Sequence, residues 1–217
     1  FLPDVVDIIF LDTKFDDGDG VEVEIDFGPL GNTPLGVLCK DGIYRAGKIQ
    51  LLLDKPYSEP DATLAIRMPK ENPFYSGDGE HLTKFTGLIM LNREDDKNVS
   101  LSTKELVAAN GTGDNDVRAE LEISKNNDLL GLLNSELEFD GWLEIEGARS
   151  KVLIEVIEPL LKKYIHSCAK YVVDGELDIE LSNSASHIEV DFDPFEDQAC
   201  DNEIEVTING KSIIETY

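Results

Sequence analysis

The residues best suited to chemistry lie in a glycine-rich stretch near the start of the chain, IDFGPLGNTPLGVLCKDGIYRAGKI (25–49). It holds five glycines, one cysteine and three basic residues in an otherwise acidic sequence. A phosphate-binding loop needs the pattern GxxxxGK[ST] at the start of a helix. Here Gly47 and Lys48 lead instead into IQLLL, which is typical of a strand. The stretch therefore does not predict a nucleotide site.

The same stretch favours a structural corner at the edge of a sheet. Glycines can supply the left-handed backbone conformations of a long loop. Arg45 and Lys48 can form ion pairs with Asp26 or Asp41 and so fix the loop in place. The glycines expected to act in this way are Gly28, Gly31, Gly36 and Gly42.

Metal and hydrolase signatures are missing from the rest of the sequence. The three cysteines form no CxxC pair, and the three histidines, His81, His166 and His187, have no HExxH spacing. No GxSxG motif occurs. Carboxylates could still serve a hydrolase across long sequence distances, so that class stays open as an alternative.

Two short segments are dense in carboxylates, DDGDG (16–20) and DFDPFEDQACDN (191–202). Calcium prefers such oxygen ligands, but neither segment has the spacing of an EF-hand loop. We interpret both as acidic turns and predict no cofactor. A calcium-stabilised structural protein remains a further alternative.

Aromatic side chains in predicted loops are the candidate binding residues. Tyr57 follows a strand-like run, and Phe74 and Tyr75 stand between Pro73 and a Gly-Asp-Gly turn. Exposed rings on a β scaffold bind sugars or proteins through their flat apolar faces. Trp142 lies within a strand-like segment and is expected in the core.

Composition excludes several classes of partner. The 217 residues include 45 acidic and 19 basic ones, giving a net charge of −26 and a pI near 4.2. Such a surface repels nucleic acid and anionic membranes. No apolar run reaches the length of about 20 residues that a membrane span needs. The chain begins with Phe1, and we expect a mature protein that has lost its signal peptide.

Apolar and polar residues alternate with period two along most of the chain, as in VEVEIDF (21–27) and VRAELEISK (117–125). Glycine, proline and asparagine separate these runs, and Asn209-Gly210 is typical of a hairpin turn. The pattern predicts an all-β fold of sandwich-like antiparallel sheets with little helix. It predicts two related β-subdomains, 1–116 and 117–217, which could pack as one continuous domain. In 150–165 we expect a strand to about residue 158, then a short helical or irregular connection, because Pro159 interrupts the run.

An internal similarity links a segment near the start of the chain with one near its end. Residues 21–42 and 186–202 each contain an alternating strand that ends in Asp-Phe, then a proline, a loop and a cysteine. Duplication and chance similarity both remain open. Because Cys39 and Cys200 hold equivalent positions, we expect any disulfide to join Cys168 to one of them.

The order of motifs resembles that of an uncharacterised family of Bacteroidetes cell-surface lipoproteins. The first motif, IDFG followed by CxDGxxRxGKI, comprises Ile25, Asp26, Phe27, Gly28, Cys39, Asp41, Gly42, Arg45, Gly47, Lys48 and Ile49. The last motif carries Asp191 and the CDN triplet Cys200, Asp201 and Asn202, although Asp193 replaces the usual glycine. The resemblance implies export and a lipid anchor at the N-terminus of the precursor. It implies no catalytic residue.

These observations together predict an exported protein at the outer membrane or cell surface. Its expected role is that of a non-enzymatic binding or adhesion module. Loops on a rigid β scaffold would recognise a carbohydrate or a protein.

Overall fold

The computed structural model describes residues 2–31, 35–125, 136–164, 168, 171–201 and 203–216. Of these residues 62% lie in strands and none in a helix, which confirms the predicted all-β class. Within the described part of the chain, therefore, no helix could cross a membrane. The strands are β1 (Asp7–Asp12), β2 (Val21–Asp26), β3 (Val37–Leu38), β4 (Tyr44–Ala46), β5 (Lys48–Leu53), β6 (Thr63–Met68), β7 (Phe74–Gly77), β8 (Leu82–Arg93), β9 (Asn98–Asn110), β10 (Gly113–Lys125), β11 (Glu136–Gly147), β12 (Lys151–Lys163), β13 (Asp174–Leu181), β14 (His187–Asp191), β15 (Glu203–Ile208) and β16 (Lys211–Thr216).

The strands form one antiparallel hydrogen-bonded network, which fits the predicted sandwich-like description. Its order is β1-β2-β5-β6-β8-β9-β10-β11-β12-β13-β14-β15-β16. A side ribbon of β3, β4 and β7 joins it through β8. Most neighbours in this order also follow one another in sequence, because an antiparallel pair needs only a tight turn. The pairs β2–β5 and β6–β8 are instead separated in sequence by strands of this side ribbon. Among the described residues, β1 and β16 each pair with a single strand and form the two ends of this order, while β3, in the side ribbon, pairs only with β4.

The chain divides into two compact units, each with its own small core. The first unit comprises Phe1–Arg93 and Ser102–Arg118, and the second comprises Glu94–Leu101 and Ala119–Tyr217. The predicted domain boundary at residues 116 and 117 stays a prediction. In the first unit the buried cluster is formed by Val6, Phe27 and Cys39, and in the second it is formed by Leu161, Cys168 and Val173.

Strands in which apolar and polar residues alternate bury less side-chain surface than the alternation predicts. Val23 of β2 lies opposite Leu51 of β5, and Ile25 lies opposite Ile49, so the apolar side chains do share one face. Yet all six residues of β2 and all six of β5 are half-buried, the acidic ones included. Neither face of this pair is fully covered, and the backbone ladder therefore contributes much of the local order.

The expectation of a helical or irregular connection after residue 158 is wrong. β12 runs through Pro159 to Lys163 and pairs with both β11 and β13. The pairing with β13 shifts register between Val156 and Glu158 and again between Glu158 and Leu161. A proline has no amide hydrogen to donate, and such irregularities are where strands tolerate it.

Two local predictions about the second unit are resolved. Asn209 and Gly210 have φ angles of 51° and 75° and connect Ile208 to Lys211, which confirms the hairpin. Cys168 is bonded to Cys200, with 4.8 Å between the Cα atoms, while Cys39 is free and buried. The alternative pairing with Cys39 is thereby excluded.

We predict that reduction of the Cys168–Cys200 bond destabilises the protein by about 3–4 kcal/mol, because the bond closes a loop over 32 residues in the unfolded chain. Urea unfolding of the parent and of a Cys168→Ala/Cys200→Ala variant, with and without dithiothreitol, measures this loss. The parent should respond to dithiothreitol and the double variant should not. A Cys39→Ala variant is the control, since it should still respond to the reductant.

Candidate functional site

The glycine-rich stretch forms the corner that the sequence predicts. Lys48 on β5 lies opposite Asp26 on β2. Its Nζ is 3.0 Å from Asp26 Oδ2 and 2.7 Å from Glu24 Oε1. The other oxygen of Asp26 accepts a hydrogen bond of 2.8 Å from the amide of Gly28. Burial opposes ionisation of Asp26, but the Gly28 amide and the Lys48 ammonium outweigh it and lower its pKa.

A second ion pair closes the loop before β4. Both guanidinium nitrogens of Arg45 donate to the carboxylate of Asp41, over 2.9 and 2.7 Å. The Arg45 bond and the amide of Ile43 hold the pKa of Asp41 at about 2. The amide of Gly42 donates to the carbonyl of Cys39 and tightens the turn. The predicted pairings of Arg45 with Asp41 and of Lys48 with Asp26 are therefore confirmed, and Lys48 also pairs with Glu24, the residue just before the corner.

Phe74, one of the three aromatic residues predicted to bind a ligand, packs against the core instead of lying exposed in a loop. Its ring centroid is 5.6 Å from that of Phe27 and 6.2 Å from that of Phe85, and it packs on the core of the first unit. The amide of Phe27 donates to Gly47, which aligns β2 with the corner. Tyr75, the next residue on β7, is half-buried. The structure brings no aromatic ring into contact with Tyr75 among the described residues.

Tyr57 lies in the loop between β5 and β6 and is 37% exposed. The Arg93 guanidinium is 6.0 Å from the centre of its ring and also donates to its carbonyl. This arrangement fixes the loop to the end of β8. Tyr57, Phe74 and Tyr75 thus do not form one shared aromatic patch by any contact between the described residues.

The edge strand β1 is an exposed apolar feature of the first unit that the sequence analysis did not predict. Ile8, Ile9, Phe10 and Leu11 are 51%, 40%, 65% and 52% exposed. One side of β1 pairs with β2, and its other edge has no strand partner among the described residues. Backbone donors and acceptors on such an edge are open to another strand. The signal was DIIFLD itself, an apolar run without alternation that ends in aspartate on both sides.

The two aspartates decide what can pair with β1. In a centred antiparallel pair of two β1 strands, Asp7 of each copy would face Asp12 of the other. Like charges placed opposite one another destabilise a strand pair. Positively charged residues at the ends of an incoming strand would instead face these carboxylates. The edge therefore discriminates against its own copy and in favour of an apolar segment with basic ends.

The C-terminal motif borders an acidic cavity of about 580 Å³ in the second unit. Asp191 ends β14, and its Oδ1 accepts the amide of Asp193 over 2.8 Å, as Asp26 does for Gly28. Asp201 Oδ1 accepts the amide of Glu203, and Cys200 holds the loop through its disulfide. Asn202 lies outside the described residues. The acidic side chains that line the cavity are Glu158, Asp174, Glu176, Asp191, Asp193, Glu196 and Asp197.

Glu176, which lines this cavity, has a raised pKa. Partial desolvation of the group raises its pKa, and the carboxylates of Glu158, Asp191 and Glu189 raise it further. Glu176 faces Asp191 across the β13–β14 pair, and Glu158 faces it from β12. The geometry concentrates negative charge and favours either a proton or a cationic group there.

The first acidic segment also forms a cluster. Oxygens of Asp12, Asp17 and Asp19 lie within 4.8 Å of one another. Two of the three side chains are exposed, and exposed acidic groups commonly lie together without an ion. The calcium-stabilised alternative stays a prediction.

Comparison with known protein families, with curated proteins and with solved structures finds no match to this chain.

We predict that Gly47→Ala destabilises the first unit more than Gly28→Ala does. Both residues have positive φ, 78° and 80°, so both alanines carry a backbone penalty of about 1–2 kcal/mol. A Cβ at position 47 would also lie 1.8 Å from the Pro73 carbonyl oxygen, whereas one at position 28 meets nothing within 4 Å. Urea unfolding measures both. Equal losses would contradict the assigned role of Gly47 as the point of close approach.

We further predict that Glu176→Gln stabilises the protein at pH 7. A raised pKa in the folded state means that folding favours the protonated acid, so this contribution is lost as the pH rises through the folded pKa. Glutamine removes the charge at neutral pH, and the advantage should vanish below about pH 4, where both folded and unfolded parent chains bind the proton. Urea midpoints between pH 3 and pH 8 measure it. Glu180→Gln is the control, because Glu180 is exposed on the same strand, as Glu176 is, but does not line the acidic cavity.

Proposed function

We propose that this chain is a non-enzymatic binding module exported to the cell envelope. It captures an extended segment of another protein along the free edge of β1. The observation that carries the proposal is the exposure of four consecutive apolar residues on an edge strand. Soluble proteins usually cover, shorten or charge such an edge, and an uncovered one is suited to strand addition.

The side chains of β1 restrict which sequences the bound segment can have. Main-chain hydrogen bonds to β1 would supply affinity for any extended chain. Side chains of Ile8 and Phe10 lie on the same face as Ile25 and Val23 of β2, since these residues are opposite in the register. An apolar side chain of the incoming strand would extend that face. Asp7 and Asp12 favour lysine or arginine at its ends.

Export is supported by the covalent structure of the second unit. The Cys168–Cys200 bond is of the kind that persists in oxidising compartments. The motif order that resembles surface lipoproteins supports the same location and a lipid anchor at the precursor N-terminus. A high negative charge keeps such a protein soluble and separate from its own copies.

The binding proposal is tested with a fluorescent peptide, KVTIVTVK, by anisotropy. We expect binding that weakens as salt screens the Asp–Lys pairs. The Phe10→Thr variant should bind at least fivefold more weakly, because threonine keeps strand propensity but removes apolar area. Ile213→Thr is the matched control, since Ile213 is 52% exposed on β16 at the other edge.

Three outcomes would contradict the proposal. The first is equal binding of a peptide in which alternate backbone nitrogens are methylated, since strand addition needs those amides. The second is an equal effect of Phe10→Thr and Ile213→Thr. The third is a concentration-dependent dimer that Phe10→Thr abolishes, which would make a second copy the occupant of β1.

A second candidate function, carboxylate-based hydrolysis, is favoured by one observation. Glu176 has a raised pKa beside several other carboxylates that line the same cavity. A carboxylic acid of this kind can protonate a leaving group while a neighbour acts as base or nucleophile. The Glu176→Gln variant described above also tests this candidate, because it would abolish hydrolysis of a glycoside substrate while Glu180→Gln would retain it.

A further inference from the structure

A cavity of about 480 Å³ in the first unit is lined by basic side chains, although the chain as a whole carries a charge of −26. Arg67 and Lys70 border it from the end of β6 and the segment that follows, and Lys104 borders it from β9. Met68, which is 5% exposed, and Leu88 supply apolar surface. The volume is within the range of about 300–1,000 Å³ that is typical of small-molecule sites.

The three cations have no acidic partner. Within the described part of the chain, no ion pair or hydrogen bond engages the side chains of Arg67, Lys70 or Lys104. By contrast, Arg45, Lys48 and Lys151 each contact a carboxylate. Exposed lysines elsewhere among the described residues, such as Lys14 and Lys40, are unpaired as well. What points to a negatively charged ligand is the grouping of three unpaired cations around one cavity, in a chain with 45 acidic and only 19 basic residues.

Across β5 from Arg67, the first acidic side chain is that of Glu24 on β2, and it does not neutralise Arg67. Arg67 lies opposite Gln50 of β5, and Gln50 lies opposite Glu24 of β2. Glu24 already accepts hydrogen bonds from Lys48, over 2.7 Å, and from Gln50, over 3.4 Å. Its charge is thus compensated two strands away, and the guanidinium remains available to a ligand.

An unusual backbone conformation occurs at the same cavity. Glu105, in the middle of β9, has a φ angle of 50°, and Gly87 in β8 has a φ angle of 118°. A Cβ at position 87 would lie 2.3 Å from the Glu105 carbonyl oxygen and 2.6 Å from the Leu106 Cα. Left-handed conformations at non-glycine residues are costly and cluster at ligand-binding sites. Here the residue with the left-handed conformation follows Lys104 directly and itself lines the cavity.

Two acidic side chains, Glu71 and Glu105, also line the cavity and limit its charge. The lining carries three positive and two negative side chains, so its sum is +1. That sum suits a singly charged group better than a polyanion. Neither glutamate forms an ion pair with the three cations, and all five charged side chains are exposed, so the cations are accessible to a ligand.

We infer that this cavity binds a small organic anion with one carboxylate or sulfate group. Arg67, Lys70 and Lys104 hold the anionic group through charge-assisted hydrogen bonds, and Met68 and Leu88 contact the apolar side of the ligand. The site is independent of the β1 edge. Loss of anion binding would therefore leave the proposed strand capture untouched, and the reverse also holds.

The test uses the full chain and follows backbone amide chemical shifts by NMR. The probes are glucuronate and cyclohexanecarboxylate, which share the carboxylate but differ in the ring, with methyl glucoside and cyclohexanemethanol as neutral counterparts. We expect both anions, and neither neutral compound, to shift the amides of Arg67, Leu88 and Lys104. A stronger shift with one anion identifies whether the ring is a sugar or a hydrocarbon.

Variants separate this site from general surface attraction. Arg67→Gln/Lys104→Gln should weaken anion binding at least tenfold, and Lys70→Gln alone gives a milder second variant. Lys14→Gln/Lys40→Gln removes the same charge from exposed positions of the same unit and should leave binding unchanged. Glu105→Gln should strengthen binding several-fold. Equal binding of neutral compounds, equal loss in the control, or weaker binding by Glu105→Gln would overturn the inference.

Discussion

The ladder of backbone hydrogen bonds between antiparallel strands is the interaction on which this structure most depends. Both described core clusters contain only three buried residues each, and strands such as β2 and β5 are half-buried along their whole length. Few side chains are fully buried, and most of the apolar burial in the described residues is partial. A sheet that is not closed has edge strands, and these strands expose unpaired backbone N–H and C=O groups. Their side chains are exposed at the same place. The exposed apolar residues of β1 follow from that arrangement.

Much of the local structure was predictable because it depends on neighbours in sequence. Asn209-Gly210 specifies its hairpin through two positive φ angles, and Asp41 lies four residues from its partner Arg45. The pairing of Lys48 with Asp26 spans 22 residues and was expected from charge only as one of two alternatives. In the hairpin and in the Asp41–Arg45 pair a few adjacent residues contain the whole determinant, so one sequence was sufficient.

Long-range packing was not predictable in the same way. Phe74 looks like a loop residue in the sequence, but its ring meets Phe27 and Phe85 because β7 joins the side ribbon to β8. Pro159 interrupts a local pattern, but register shifts against β13 accommodate it within a strand. The acidic cavity and the cluster of Arg67, Lys70 and Lys104 likewise draw on separate strands. Their members become neighbours only through a strand order that no local pattern specifies.

The net charge of this protein is a poor guide to the ligands that its surface can bind. Over a distance greater than the Debye length of about 8–10 Å, salt screens the field of −26 charges. A ligand in contact with the cavity between β6, β8 and β9 instead experiences three nearby cations and two anions. The excess of acids therefore slows the approach of an anion but does not determine its affinity once bound, which depends on the nearest groups. By the same reasoning, Asp7 and Asp12 govern what pairs with β1 more directly than the total charge does. Opposite preferences can consequently coexist in one unit, an anion at the cavity and a segment with basic ends at the edge.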